Sequence, residues 1–187
     1  MPQVNVRVGA SADDADELES SGAVNITRTT VDSQAGATSS VRYWAGFRMA
    51  VSGIYQYDQI TLAGIDIYFA KSTYDIDVNI HCQLAATPGA FTTDTNNIQN
   101  RTLTTAYVTW TDTDLGGSPA ASPDFTAVVQ EVVNAYTPTY IAVILKPRSP
   151  ATTALVPITS YDGTPGSACR LNVYYSSRPR IRISSTP

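Results

Sequence analysis

The chain has 187 residues, of which 43% are hydrophobic and only 15% charged. That length suits one domain with a real core, and the charge content is well under the ~25% of an average domain, so a coiled coil, a long helical bundle and a charge-driven disordered chain are excluded. The net charge of −4 gives no basic field for a nucleic-acid backbone, and no run of about 18 apolar residues could cross a membrane, so neither partner is expected.

Taken in chain order, the sequence alternates with a period of two. Met1-Pro2-Gln3-Val4-Asn5-Val6 lacks the basic and apolar regions of a secretory signal, so the chain reads as a primary product used in the cytoplasm or exported by another route. Val4, Val6 and Val8 predict a first strand. Residues 13–19, Asp-Asp-Ala-Asp-Glu-Leu-Glu, form an acidic cluster. Val24 and Ile26 predict a second strand, and residues 41–50 a third, with Gly46 as a candidate bulge. Over residues 60–69 the alternation changes phase: Ile60 and Leu62 share one face, then Ile65, Ile67 and Phe69 the other. A bulge at Ala63-Gly64 would bring both sets to the core.

Val78, Ile80, Cys82 and Leu84 alternate with Asn79, His81 and Gln83, which places His81 on the solvent side. Tyr107 to Trp110 is a short strand, and the apolar run 140–145 predicts a strand covered on both faces. Leu155 to Tyr161, Leu171 to Tyr175 and Arg180 to Ile183 bring the total to nine or ten strands. One stretch has helical spacing. Phe125, Val128, Val129 and Val132 predict an amphipathic helix near 123–135, with Ser122 as cap, Pro123 in the first turn and Asp124 facing the dipole. The expected fold is therefore all-β, a jelly-roll-like antiparallel β-sandwich with one short α-helix, in a single domain 1–187. Residues 176–187 are set apart as a C-terminal assembly tail.

Candidate chemistry is sparse, and no catalytic, cofactor or metal residue is assigned. His81 and Cys82 are neighbours on a strand, point to opposite faces and cannot form a nucleophilic pair. Cys82 and Cys169 could join as a disulfide or remain as two buried thiols. Asp112-Thr113-Asp114-Leu115-Gly116-Gly117 starts like a calcium loop but lacks its third acid and its bidentate Glu. The 13–19 run could ligate calcium with Asp162, and Asp75 and Asp77 read as solvent-facing. Only three glutamates are present, Glu17, Glu19 and Glu131, with no paired-carboxylate context, so an enzyme is the least supported class. Eleven tyrosines offer stacking platforms for sugars, whereas Trp44 and Trp110 read as core. The acidic run and Arg170, Arg178, Arg180 and Arg182 read either as two solvated patches or as complementary surfaces that meet between subunits.

Five ordered stretches carry a resemblance that runs from about Val6 to Tyr175. They are Ser11–Glu17, Asn96–Arg101, Thr105–Trp110, Pro123–Asn134 and Ser160–Gly163. In order and content they resemble jelly-roll-like, carbohydrate-binding-module-like β-sandwich modules of bacterial surface proteins. A stand-alone domain of this kind is similar to bacteriophage virion proteins such as head decoration proteins, head fibres and tail appendages. The resemblance implies a non-enzymatic structural protein of a phage-like particle, a capsid decoration (cement) protein in its first form. Its location would be the virion, assembled in the host cytoplasm, and its partners other virion proteins and copies of itself. The alternative it implies is a carbohydrate-binding module for cell-surface or extracellular polysaccharide, with host glycans as ligands. It implies no cofactor.

Overall fold

The computed structural model describes residues 1–33, 42–69, 76–112, 119–148 and 156–178. Within these, the strands are β1 (Gln3–Arg7), β2 (Asp14–Leu18), β3 (Ala23–Asn25), β4 (Thr30–Ser33), β5 (Tyr43–Ala50), β6 (Gln59–Ile67), β7 (Ile76–Cys82) and β8 (Val108–Asp112). They continue as β9 (Ala120–Ala121), β10 (Tyr140–Pro147), β11 (Val156–Thr159) and β12 (Arg170–Ser176), with helix α1 (Thr126–Ala135) between β9 and β10. One sheet has the order β1-β12-β6-β9, a second β3-β2-β5-β10-β7-β8, and β11 and β4 form a short ladder of their own. The ladders are antiparallel, the first strand pairs with the last, and β10 lies between β5 and β7. This is the expected all-β, jelly-roll-like sandwich with one short helix.

The alternation explains the core. Val4, Phe47, Met49, Ile65, Ile67, Val78, Ile80, Val143, Leu145, Leu171 and Val173 all point between the sheets and are buried there. Cys82 and Cys169 join them as buried free thiols. The 140–145 run is covered on both faces, as its sequence predicts. Ile141, Val143 and Leu145 enter the main core, while Ile144 enters a second cluster with Ala15, Trp44, Phe91 and Ile98 on the other face of the six-stranded sheet. The segment after β7, which carries Phe91 and Ile98, forms the lid of that second cluster.

Of the two predicted bulges, one is absent and the other lies a few residues away. Gly46 pairs in unbroken register with Ala15 on one side and Ile144 on the other, so it is no bulge. Its role is steric: a Cβ there would lie 2.5 Å from Phe91 Cζ, so the Phe91 ring sits directly on the bare backbone. The register slip in β6 lies between Ile60 and Leu62, opposite Tyr174 and Tyr175, rather than at Ala63-Gly64. Ile60 and Ala63 are therefore the inward residues, and Leu62 is 45% exposed.

The helix face is as predicted, with Phe125, Val128, Val129 and Val132 fully buried, but α1 starts only at Thr126. Ser122 does not cap it. Instead Ser122 Oγ accepts the Ile65 N–H at 3.0 Å, and Asp124 Oδ1 accepts both the Ala63 N–H at 3.2 Å and the Thr126 N–H at 2.9 Å. Strands β2, β4 and β9 are absent from the sequence reading. The strand predicted at Arg180 to Ile183, the tail beyond Arg178, Asp75, residues 113–117 and the start of a strand at Leu155 lie outside the described residues.

Two substitutions test this packing. Val128→Asp places a charge among fully buried apolar groups and is expected to destabilise the domain by about 3 kcal/mol or more. An unchanged melting temperature would mean that the helix face is wrong. Gly46→Ala is expected to cost about 1–3 kcal/mol by overpacking against Phe91. Phe91→Leu in the same chain should recover part of that loss in a denaturant titration.

Candidate functional site

The acidic run is where sequence and structure diverge most. Asp13, Asp14, Asp16 and Glu17 are all buried, so they form neither a solvated patch nor a surface for another subunit. Asp14–Leu18 is β2, hydrogen-bonded between β3 and β5. Each carboxylate serves a different piece of chain. Asp13 pairs with the Arg48 guanidinium, which also lies over the Tyr140 ring. Asp14 Oδ2 accepts the Tyr161 N–H at 2.7 Å, and Asp16 Oδ2 accepts the Asp32 N–H at 3.1 Å. Glu17, on the opposite face of the strand, accepts the Ile98 N–H at 2.5 Å and the Gln99 N–H at 3.3 Å. Glu19 accepts the Trp44 indole N–H at 3.1 Å.

The same logic runs through the other stretches of the resemblance. Glu131, on α1, accepts the Thr105 and Ala106 N–H groups at 2.9 and 2.8 Å. Asp162 accepts the Ser11 hydroxyl at 2.7 Å, and Ser160 Oγ donates to the Arg28 carbonyl at 2.5 Å. The five stretches therefore meet pairwise through polar side chains that fasten loop backbone. Among the described residues no group of three or more His, Cys, Asp or Glu side chains is placed to hold a metal ion.

His81 departs from its predicted solvent-facing position. It lies on the outward side of β7 as expected, but it is buried there beneath Tyr107, whose ring centroid is 5.3 Å away. Its Nδ1 is 3.1 Å from the Thr104 carbonyl, which can only accept, so the proton sits on Nδ1. Burial lowers its pKa and keeps the ring neutral. Cys82 points the other way, its thiol pushed up by burial, and the two share no chemistry. Trp44 and Trp110 are core residues, as read from the sequence.

Depressions mark the described surface. One of about 520 Å³ lies along Gln83, Gly89, Asp94, Asn97 and Arg101. Its guanidinium is fully engaged: Arg101 donates to Asn97 O, Gln83 Oε1, Gly89 O, Ala90 O and Asn97 Oδ1 and stacks on Phe91. It is a strut for the lid. A smaller hollow of about 180 Å³ lies over Gly64 on the outer face of the four-stranded sheet.

Another, about 310 Å³, is lined by Tyr55, Gln56, Tyr57, Asp58, Thr137 and Arg178. It is built on a turn in which the Asp58 N–H donates to the Tyr55 carbonyl at 3.0 Å and the Tyr55 N–H donates to Asp58 Oδ2 at 3.0 Å. Gln56 Nε2 donates to the last carbonyls of α1, Asn134 O and Ala135 O, and the Tyr57 N–H donates to Val133 O at 2.9 Å. Tyr57 has φ +68°, a region that an aromatic residue rarely takes, and its ring is 51% exposed. Residue-type counting finds the tyrosines but not this pocket, because nothing in Tyr-Gln-Tyr-Asp signals a left-handed backbone.

No family model matches this chain, and no curated protein matches it.

The buried acids make stability depend on pH. Burial, against the pull of the Tyr161 N–H, raises the Asp14 pKa from 3.8 to about 7, and burial likewise raises that of Asp16 to about 6. A raised acid binds its proton more tightly in the folded chain than in the unfolded one. Stability is therefore highest at mildly acid pH and falls as pH rises from about 4 through 7. Asp124, held low because hydrogen bonds from Thr126 and Ala63 outweigh its desolvation, contributes in the opposite sense but is exposed. The expected outcome is a melting temperature that drops between pH 5 and pH 8, with a loss on the order of a few kcal/mol. Asp14→Asn, which can still accept the Tyr161 N–H, should flatten that drop; an equally steep profile in the variant would remove Asp14 as its source.

Proposed function

We propose that this chain is a non-enzymatic structural protein of a phage-like particle, most simply a capsid decoration protein. The observation that carries this reading is where the acids are engaged. Asp13, Asp14, Asp16, Glu17 and Glu131, the carboxylates on which acid–base chemistry would draw, are bound to backbone N–H groups or to arginine within the fold. Such a body is held rigid by its own loops, as a passive bridge across joints of a shell must be. The resemblance to virion modules and the alternating Arg-Pro-Arg-Ile-Arg-Ile of residues 178–183 support the same reading. An alternating basic segment can add to a neighbour's sheet or meet its acids. Each exposed ion pair contributes only about 0–1 kcal/mol, so attachment would be decided by many copies together.

A second reading, recognition of a polysaccharide, is favoured by one observation, the tyrosine-lined pocket at residues 55–58.

The particle reading is tested by adding the purified protein to particles that lack it. Co-sedimentation is the expected result, and a protein that stays monomeric and never associates with particles counts against it. Truncation after Arg178 keeps the Arg178 N–H that buried Asp58 accepts at 3.2 Å. That variant is expected to fold, with an unchanged circular dichroism spectrum, and to join particles poorly. Normal joining would show residues 179–187 to be idle.

A further inference from the structure

We infer that the pocket at the 55–58 turn is a binding site for an acidic saccharide. A sugar ring would lie on Tyr57, and its carboxylate would meet the Arg178 guanidinium. The inference rests on the polysaccharide reading above and gives it a place and a charge.

Three observations converge. The cavity of about 310 Å³ falls at the small end of the roughly 300–1,000 Å³ of small-molecule sites, room for one or two sugar rings. Two tyrosines border it, Tyr55 and Tyr57, and Tyr57, at 51% exposure, offers an apolar face and a hydroxyl. Sugar rings are bound in this way, with C–H groups on an aromatic face and hydroxyls on polar groups at the rim. Arg178 sets the charge. Its backbone N–H is taken by Asp58, but its guanidinium has no partner among the described residues, and a planar guanidinium binds a carboxylate with two parallel hydrogen bonds. Asp58 does not compete for it, because that carboxylate is buried and already accepts the Tyr55 and Arg178 N–H groups.

The backbone gives the independent argument. Tyr57 stands where a turn of this kind calls for glycine, and the surrounding bonds hold it there: Gln56 N–H to Thr137 Oγ1 at 2.9 Å, Gln56 to the end of α1, and Tyr57 N–H to Val133 O. A strained, half-exposed aromatic ring on a braced turn adds nothing to the core. It is preorganised, so binding would cost little ordering. The Arg101 basin differs in just this respect, because its guanidinium is already engaged within the chain.

The experiment is affinity electrophoresis of the full chain through native gels containing a polyuronate (polygalacturonate or alginate) or a neutral polymer (dextran or hydroxyethylcellulose). Retardation by a polyuronate and not by the neutral polymers is expected. Arg178→Ala, which keeps the N–H that Asp58 needs, should weaken it by about tenfold or more, as for loss of a charge-assisted bidentate contact. Tyr57→Gly should weaken it as much while melting no lower than the parent, since glycine takes φ +68° without strain. Tyr174→Ala, an exposed tyrosine of β12 that does not line the pocket, should leave it unchanged. Retardation that survives both Tyr57→Gly and Arg178→Ala overturns this site while leaving polysaccharide recognition standing. Equal retardation by neutral polymers overturns the charge assignment. No retardation by any polymer overturns the site and the polysaccharide reading together.

Discussion

Asp13, Asp14, Asp16 and Glu17 lie inside a protein that has little other charge, and the arrangement of its loops follows from how they are satisfied. A carboxylate taken from water costs several kcal/mol unless donors replace its hydration. Here backbone N–H groups or an arginine replace it in part, with burial still the larger effect at Asp14 and Asp16, and each bond fixes a segment distant in sequence: Tyr161 to Asp14, Asp32 to Asp16, Ile98 to Glu17. Because side chains alternate along β2, Asp14 and Asp16 fasten chain on one side of the sheet and Glu17 fastens the lid on the other. The net gain of each bond is modest, about 1.5–3 kcal/mol for a charged partner. The penalty for breaking one is larger, since a buried charge is then left alone. This favours one arrangement of loops over its competitors more than it adds stability.

A related device covers β6. Beyond two-residue β9 this strand is an open edge, which would invite pairing with another chain. The segment leading into α1 and α1 itself close it. Ser122 and Phe125 donate backbone N–H groups to Ile65 O and Ala63 O, while Ser122 Oγ, Asp124 Oδ1 and Gln130 Oε1 accept from Ile65, Ala63 and Ile60. The residues that look like a helix cap in sequence are thus mostly serving a strand. The bulge at Thr61 belongs to the same arrangement, since Gln130 takes the Ile60 N–H beside it. The end of α1 in turn carries the 55–58 turn through Gln56, so one helix both seals an edge and braces the tyrosine pocket.

Much of this fold was legible in the sequence, and the failures share a cause. Alternation finds β1, β5, β7, β10 and β12, and helical spacing finds the buried face of α1, because in each the side chain's hydrophobicity reports its environment. Alternation misses β2 because its buried side chains are carboxylates, and one-dimensional patterning assigns acids to water. Their donors, Tyr161 and Ile98, are about 147 and 81 residues away, which no local pattern encodes. At Gly46 the limit is again local pattern: a glycine in a strand reports that something comes close, but not whether it is a kinked ladder or the Phe91 ring. His81 was placed on the correct face of β7, and what the sequence lacked was the Tyr107 ring that covers it.

The inward turn of the acids also changes what the surface presents. Among the described residues, Asp58 is buried along with the four acids of the run, whereas Arg28, Arg148 and Arg178 are exposed. The acidic run of the sequence is therefore not an exposed acidic face. Neither repulsion between copies nor exclusion of a polyanion follows from that run. Contacts of either kind then depend on local groups. Among the described residues these include the Tyr57 ring on its braced turn and the Arg178 guanidinium, two residues beyond the end of β12. The two proposed roles, attachment to a particle through residues 179–187 and recognition of an acidic glycan at Arg178, would thus draw on adjoining stretches of one sequence.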